Sequence, residues 1–222
     1  MQDDSGLKRL LGFSWIYAGF QSLVGATRGA KWVSEHFWRA QPGQKIVDIG
    51  CGPGNTAHLL PDGVQYVGFD VSEHYIEHAR EVFANDPNKS FIVGVAEDFV
   101  AQPPVQMLNA DLVIMNGLLH HLDDNEALVA LKLARAVLSP NGRLVCLEGC
   151  FLASQAPLAR WILQQDRGQN VRSESAWKSL VSQIFQNFDT HILTGLLRIP
   201  YTQIIIEAQT ERARAVHSRQ DG

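Results

Sequence analysis

Between residues 45 and 148 the chain alternates short apolar runs with stretches of helical spacing. The runs are Lys45 to Ile49, Gln65 to Phe69, Ser90 to Val93, Ala110 to Met115 and Arg143 to Glu148. Each is only a few residues long and rich in β-branched side chains, as strands buried on both faces are. Asn55 to Leu60, Glu73 to Asn85 and Asn125 to Leu138 carry apolar residues at helical intervals. Ser72 is placed to cap the second of these, because its hydroxyl accepts an otherwise orphaned N–H of the first turn. Steady alternation of strand and helix predicts an α/β fold, a parallel sheet covered by helices on both faces, with ligands at the carboxyl ends of the strands.

Beyond residue 150 the pattern changes. Ala156 to Gln165 and Glu174 to Phe185 read as helices around a polar segment, Asp166 to Arg172. Phe188 to Gly195 and Gln203 to Ala208 read as two strands with no helix between them, which predicts an antiparallel pair finishing the sheet. Upstream, Leu7 to Ala40 has apolar residues at helical spacing, interrupted by Gly25 and Gly29, and reads as two helices with a break near Gly25. Trp32, Phe37 and Trp38 are expected to cover the sheet edge, whereas Tyr17, Phe20 and Gln21 suit a pocket wall equally well. The expected layout is one domain: a helical cap over 1–40, a core over 43–210 in which 151–187 forms a lid or substrate segment, and a polar tail over 211–222.

A chain of 222 residues with 45% hydrophobic content is long enough for one good core. Its net charge of -4 and lack of a Lys/Arg block argue against nucleic acid as a partner and for a small-molecule substrate. Cys51, Cys146 and Cys150 have no metal-site spacing and fit free thiols in a reducing compartment. Acidic Asp3 and Asp4 precede the first apolar residues, and no apolar run has the length of a bilayer span, so the expectation is a cytoplasmic protein without membrane insertion. A monomer and a homodimer are both compatible with the sequence.

Candidate chemistry gathers at K-I-V-D-I-G-C-G-P-G-N-T, residues 45–56, where a strand runs into Gly50, Gly52 and Gly54. Glycines at a strand-to-helix corner allow a tight turn and let a ligand lie against backbone N–H groups. Asp70 ends the next strand at about the twenty-residue offset of a carboxylate that accepts ribose hydroxyls. The third glycine of a dinucleotide fingerprint is replaced by Asn55, which argues against a nicotinamide or flavin site.

V-D-I-G-C-G-P-G resembles motif I of the class I methyltransferases that use S-adenosyl-L-methionine, and G-F-D-V-S at 68–72 resembles their second-strand motif. The resemblance continues through D-L-V-I-M-N-G-L-L-H-H-L at 111–122 and L-A-R-A-V-L-S-P-N-G-R-L-V at 133–145, so it covers about Gly43 to Gly149. It implies a Rossmann-like three-layer sandwich with a seven-stranded, mostly parallel sheet in order 3-2-1-4-5-7-6. It also implies cofactor contacts from Asp48, Gly50, Cys51, Gly52 and Asn55, with Asp70 on the ribose and Val71 on the adenine. Many relatives have an acid directly after the glycine equivalent to Gly94, where this chain has Val95. Ala96, Glu97 and Asp98 would then read the base edge beside Phe99, and Asn116 and Gly117 would lie beside the sulfonium.

A sulfonium methyl is already electrophilic, so the protein must align a nucleophile, exclude water and, where needed, accept a proton. His120 and His121 are the candidate bases, since imidazole titrates near neutrality. Alternatively, one of them bonds Asp123 or Asp124 and shapes the loop while the other lines the cofactor pocket. Substrate candidates are Tyr17, Gln21 and Arg28 in the cap, and Phe151, Arg167, Arg172 and Tyr201 after the fifth strand, where Glu148 and Arg160 also stand. D-R-G-x-x-V-R at 166–172, with R-I-P-Y-T at 198–202, resembles a bacterial subgroup of small methyltransferases. Arg167 and Arg172 could bind a carboxylate or phosphate, or pair with Asp166 and Glu174 and hold a lid. The expected activity is methyl transfer to an O or N atom of a small polar or anionic metabolite. The alternatives are C-methylation of an aromatic or quinone-like ring and a cofactor-binding protein without catalysis.

Overall fold

The computed structural model describes residues 26–165 and 169–210. The parallel part of the sheet comprises β1 (Lys45–Ile49), β2 (Gln65–Asp70), β3 (Lys89–Val93), β4 (Ala110–Asn116) and β5 (Leu138–Phe151). A two-residue strand, β6 (Arg172–Ser173), pairs with the end of β5. β7 (Asn187–Thr194) and β8 (Thr202–Gln209) form the antiparallel finish, β8 lying against β5. The order β3-β2-β1-β4-β5-β8-β7 is the expected 3-2-1-4-5-7-6 once the short β6 is left off the path.

Alternate residues of a strand face opposite sides, and this sorts the core into two layers. Val47, Val113, Leu144 and Ile204 face α4 (Asp124–Val137) and α6 (Glu174–Ser182). Ile46, Ile114, Val145 and Ile205 face the layer that contains α1 (Ala26–Val33) and α2 (Glu73–Val82). Two shorter elements, α3 (Ala96–Val100) and α5 (Pro157–Gln164), follow β3 and β5 at the carboxyl edge. Local sequence starts the helices. Ser72 accepts the Tyr75 N–H, and Asp123 with Glu126 forms a reciprocal capping box that satisfies first-turn donors of α4.

Helix α1 runs on into a π-helical turn, Ser34–Trp38, closed by the Arg39 N–H donating to Ser34 O at 2.8 Å. Trp38 and Phe37 are buried beneath it, as expected of sheet cover, while Trp32 stays partly exposed and stacks on His36. Arg143 of β5 donates to the carbonyl oxygens of Phe37, at 2.7 Å, and of Trp38. The helix end thus borrows its cap from the sheet. Gly29 lies against the β7–β8 connection, where a Cβ would come within 3.1 Å of Leu196.

Several boundaries differ from those expected: the helix expected over Asn55 to Leu60 is a 3-10 turn, Thr56–Leu59, and α6 ends at Ser182 rather than Phe185. Helix α2 ends at Val82 rather than Asn85. β5 begins at Leu138, ahead of the expected turn Ser139 to Gly142, because Leu138 still pairs with Ala110 before the register shifts and Arg143 pairs with Leu112. The expected turn is therefore an irregularity inside the strand. No helix among the described residues is long and apolar enough to cross a membrane. The expected helix before Gly25 and the tail over 211–222 lie outside the described residues.

Candidate functional site

The glycine corner closes β1 at the carboxyl edge. Gly50, Gly52 and Gly54 all have positive φ (77°, 53° and 87°), a region that L side chains enter at a cost. Their neighbourhoods differ. A Cβ on Gly50 would come within 2.8 Å of Leu118, whereas around Gly52 nothing stands within 4 Å. The backbone over Gly52 is therefore open to a ligand. Asp70 holds the corner together, its carboxylate accepting the Gly52 N–H at 2.9 Å and the Ser72 N–H at 2.8 Å. A carboxylate offers about four acceptor positions, so two bonds leave capacity for hydroxyl donors.

Below the corner, Asp48 is fully buried. Tyr66 donates its hydroxyl to Oδ2 at 2.8 Å, and Oδ1 has no hydrogen-bond partner among the described residues. Burial pushes the Asp48 carboxyl up to about 6, opposed by the Tyr66 and Thr56 side chains and reinforced by the charge of Asp70. An acid whose folded pKa is raised favours the folded state at low pH and loses that contribution as pH rises through the folded value. Asp48 thus costs roughly 3 kcal/mol above about pH 6 in the absence of a ligand donor. We expect Asp48→Asn to raise the melting temperature at neutral pH and to have much less effect near pH 4. Equal melting curves for the two proteins at both pH values would refute this.

The remaining expected cofactor residues divide by placement. Val71 and Val95, after the ends of β2 and β3, are 65% and 40% exposed and offer apolar surface beside the corner. Ala96, Glu97 and Asp98 form the first turn of α3, with both acids exposed. Phe99 packs on Phe69, ring centroids 5.2 Å apart, and against Gly94. Asn55 is exposed after the corner. Cys51 is buried, with its thiol turned against Gly68 and donating to the Gly52 carbonyl at 3.5 Å, and burial raises its pKa. The open cradle over Gly52, the orphaned Asp48 oxygen and the exposed valines together fit a nucleoside-bearing cofactor of the expected kind.

At the end of β4, Asn116 and Gly117 lead into a 3-10 turn, Leu119–His121. Glu148 of β5 anchors that turn. Its Oε1 accepts the Leu118 and Leu119 N–H groups at 3.1 and 2.8 Å, and its Oε2 accepts the His120 N–H at 3.3 Å. His120 Nδ1 lies 2.5 Å from the same Oε2. Facing a carboxylate that already accepts backbone donors, Nδ1 carries the proton, so Nε2 is the acceptor nitrogen of the neutral ring. The ring stands near Gly117, where a Cβ would lie 3.6 Å from its Cε1. His121 is exposed, its ring 4.2 Å from that of His120. Glu148 is thus a partner of His120. Asp123 caps α4.

Arg172 is occupied differently from either expected role. Its guanidinium donates to Asp124 at 2.9 Å, to the carbonyls of Leu119, Asn170 and Leu122 at 2.9, 3.0 and 2.9 Å, and lies over Trp177. Glu174, its expected partner, pairs with Lys178. Buried and with its donors committed, Arg172 clamps the His120 turn by its carbonyls as Glu148 holds it by its N–H groups, and it is not placed to bind substrate. Removing these bonds with Arg172→Met should cost about 2–4 kcal/mol, mostly from the carbonyls left unpaired. Denaturant unfolding measures the loss, and amide exchange at residues 118–122 should quicken with it. An unchanged midpoint would show that the clamp holds nothing.

Among the other substrate candidates, Arg28 is exposed on α1 next to Gly29. Phe151 ends β5 beneath the Arg160 guanidinium, 5.3 Å from the ring centroid, so these two engage each other. Tyr201 precedes β8, and a Cβ on Gly149 would come within 2.8 Å of its hydroxyl. Tyr17, Gln21 and Arg167 lie outside the described residues. From sequence, Glu148 stands only among the residues of the substrate region. The signal for its anchoring role was a carboxylate ending an otherwise apolar strand, one strand over from the histidines.

Comparison with known proteins agrees with this geometry. A family model described as "Methyltransferase domain" matches residues 47–144, from the glycine corner into β5. Malonyl-[acyl-carrier protein] O-methyltransferase of Hahella chejuensis is 36% identical over 106 residues, covering 46% of this chain and 36% of the relative. Demethylmenaquinone methyltransferase of Symbiobacterium thermophilum is 30% identical over 161 residues, covering 66% of this chain and 57% of the relative. The chain thus spans less than two thirds of the length of these curated relatives. In fold it is similar to phosphoethanolamine N-methyltransferase 2 of Haemonchus contortus, with a TM-score of 0.69 and 14% identity, over 93% of this chain and 59% of that one. The match falls on the residues that build the corner and the histidine turn, and the chain carries a class I S-adenosylmethionine-dependent methyltransferase-like domain.

Proposed function

We propose that the chain transfers a methyl group from S-adenosylmethionine to an oxygen or nitrogen atom of a small metabolite that is polar or anionic at one end. The observation that carries this reading is the pairing of His120 with Glu148 beside Gly117, on the edge that bears the glycine corner. Gly50 and Gly52 would hold the methionine half of the cofactor, Asp70 its ribose, Val71 and the first turn of α3 its base, and Asn116 and Gly117 the region of its sulfonium. When bound, the cofactor supplies an electrophilic methyl group. The residues of the chain then have the work of alignment, water exclusion and proton removal. His120 Nε2 would receive the proton of the acceptor O–H or N–H, with Glu148 holding the ring and stabilising the imidazolium that results.

C-methylation of an aromatic or quinone-like ring is the second reading, favoured by a largely apolar cleft at the same edge and by the similarity to a demethylmenaquinone methyltransferase. A metabolite library scored by release of S-adenosylhomocysteine tests both, and the position of the methyl on the product separates them. Cofactor binding without release for any acceptor would support a binding protein instead, and failure to bind S-adenosylmethionine would overturn all three.

A further inference from the structure

The β5–α5 connection and the β7–β8 turn enclose a cleft of about 590 Å³ at the carboxyl edge of the sheet. Clefts of this size hold drug-sized molecules, and a two- or three-carbon polar acceptor would leave most of it empty. Leu152, Ala156, Leu197 and Ile199 supply its apolar wall. Ser154, Gln155, Thr194, Arg198, Tyr201 and Thr202 supply its polar groups, and one of them is incompletely satisfied. Gln155 donates its amide nitrogen to Thr202 Oγ1 at 2.8 Å and to the Cys150 carbonyl at 3.3 Å. A carbonyl can only accept, so the nitrogen faces Cys150 and the amide oxygen is turned elsewhere. That oxygen, Oε1, is buried with no partner among the described residues. Buried acceptors are nearly always satisfied, and the Gln155 oxygen calls for a donor.

The cleft lies at the same edge of the sheet as the histidine turn. Tyr201 lines it, and a Cβ on Gly149, the residue after Glu148, would come within 2.8 Å of the Tyr201 hydroxyl. Resting on the methyltransferase reading, we infer that this cleft receives the body of the methyl acceptor, and that the acceptor is amphipathic: an apolar, ring-sized body carrying an O–H or N–H donor that Gln155 reads. The donor recognised by Gln155 sits on the part of the molecule that does not react, and the apolar wall takes the rest.

The probes are 2-naphthol, an apolar bicycle with one O–H donor, and 2-methoxynaphthalene, the same body without the donor. Calorimetry is run on the full chain with saturating S-adenosylhomocysteine. The wild-type protein should bind 2-naphthol roughly tenfold more tightly than the ether. Gln155→Leu should bring that ratio close to one. Thr194→Trp, which fills the cleft from its exposed rim without touching the core, should abolish binding of both probes. S-adenosylhomocysteine affinity should be the same in all three proteins, which certifies their folding. Absence of 2-naphthol binding at millimolar concentration, full binding in Thr194→Trp, or an undiminished preference in Gln155→Leu would each overturn the assignment. Loss of S-adenosylhomocysteine binding by the wild-type chain would overturn the methyltransferase reading instead, and titration of the probes alone would still decide the cleft.

Discussion

His120→Ala is expected to lower the rate of methyl transfer by about 10²–10⁴-fold, the span usual for loss of a positioned general base, with cofactor affinity nearly unchanged. The reason is local. The ring is held by a carboxylate that also accepts the N–H groups of residues 118–120, so neither its tautomer nor its orientation is free to drift. The acidic limb of the rate profile, where imidazole stops accepting protons, should vanish with the ring. Glu148→Gln should cost less, roughly tenfold, because the histidine stays but loses its charged partner. His121→Ala should leave turnover close to normal, since that side chain is exposed. Normal turnover in His120→Ala, measured as release of S-adenosylhomocysteine, would remove the base from the mechanism.

Asp70→Ala should weaken S-adenosylmethionine binding by roughly 10–100-fold, the effect of removing a charged acceptor that makes more than one hydrogen bond. Two losses combine in that figure. The ribose hydroxyls lose their acceptor, and the Gly52 N–H loses the bond that fixes the open cradle. Asp70→Asn keeps one acceptor oxygen and should fall between wild type and alanine. Calorimetry reads all three, and an affinity for Asp70→Ala equal to that of wild type would sink the ribose assignment.

The sheet was legible in the sequence because the signals that define it are local. Short β-branched runs mark β1 to β4, glycines mark the corner, and Ser72 and Asp123 mark helix starts. The order of the strands came from resemblance and could not have come from periodicity, which says nothing about neighbours. What escaped the sequence depends on distant pairs. Glu148 meets His120 across 28 residues, and Arg172 meets Leu119 across 53. Only the folded chain brings them together. Arg172 illustrates the difficulty, since an arginine in a polar segment reads as an exposed ligand-binding group, yet here its neighbours are carbonyl oxygens and an indole. β6 was missed for the same reason, its two residues being a strand only because β5 extends to meet them.

The cap that Arg143 places on the end of the π-helical turn has a consequence for biosynthesis. Phe37 and Trp38 leave the ribosome long before Arg143, which follows them by about a hundred residues. Until β5 is made, the last carbonyls of that turn face water, and the two aromatic rings lack β5 and β8 beneath them. The segment around residues 26–38 should therefore be among the last to acquire protection during synthesis, and stalled chains ending before β5 should leave it open to proteases while the corner strands have already met.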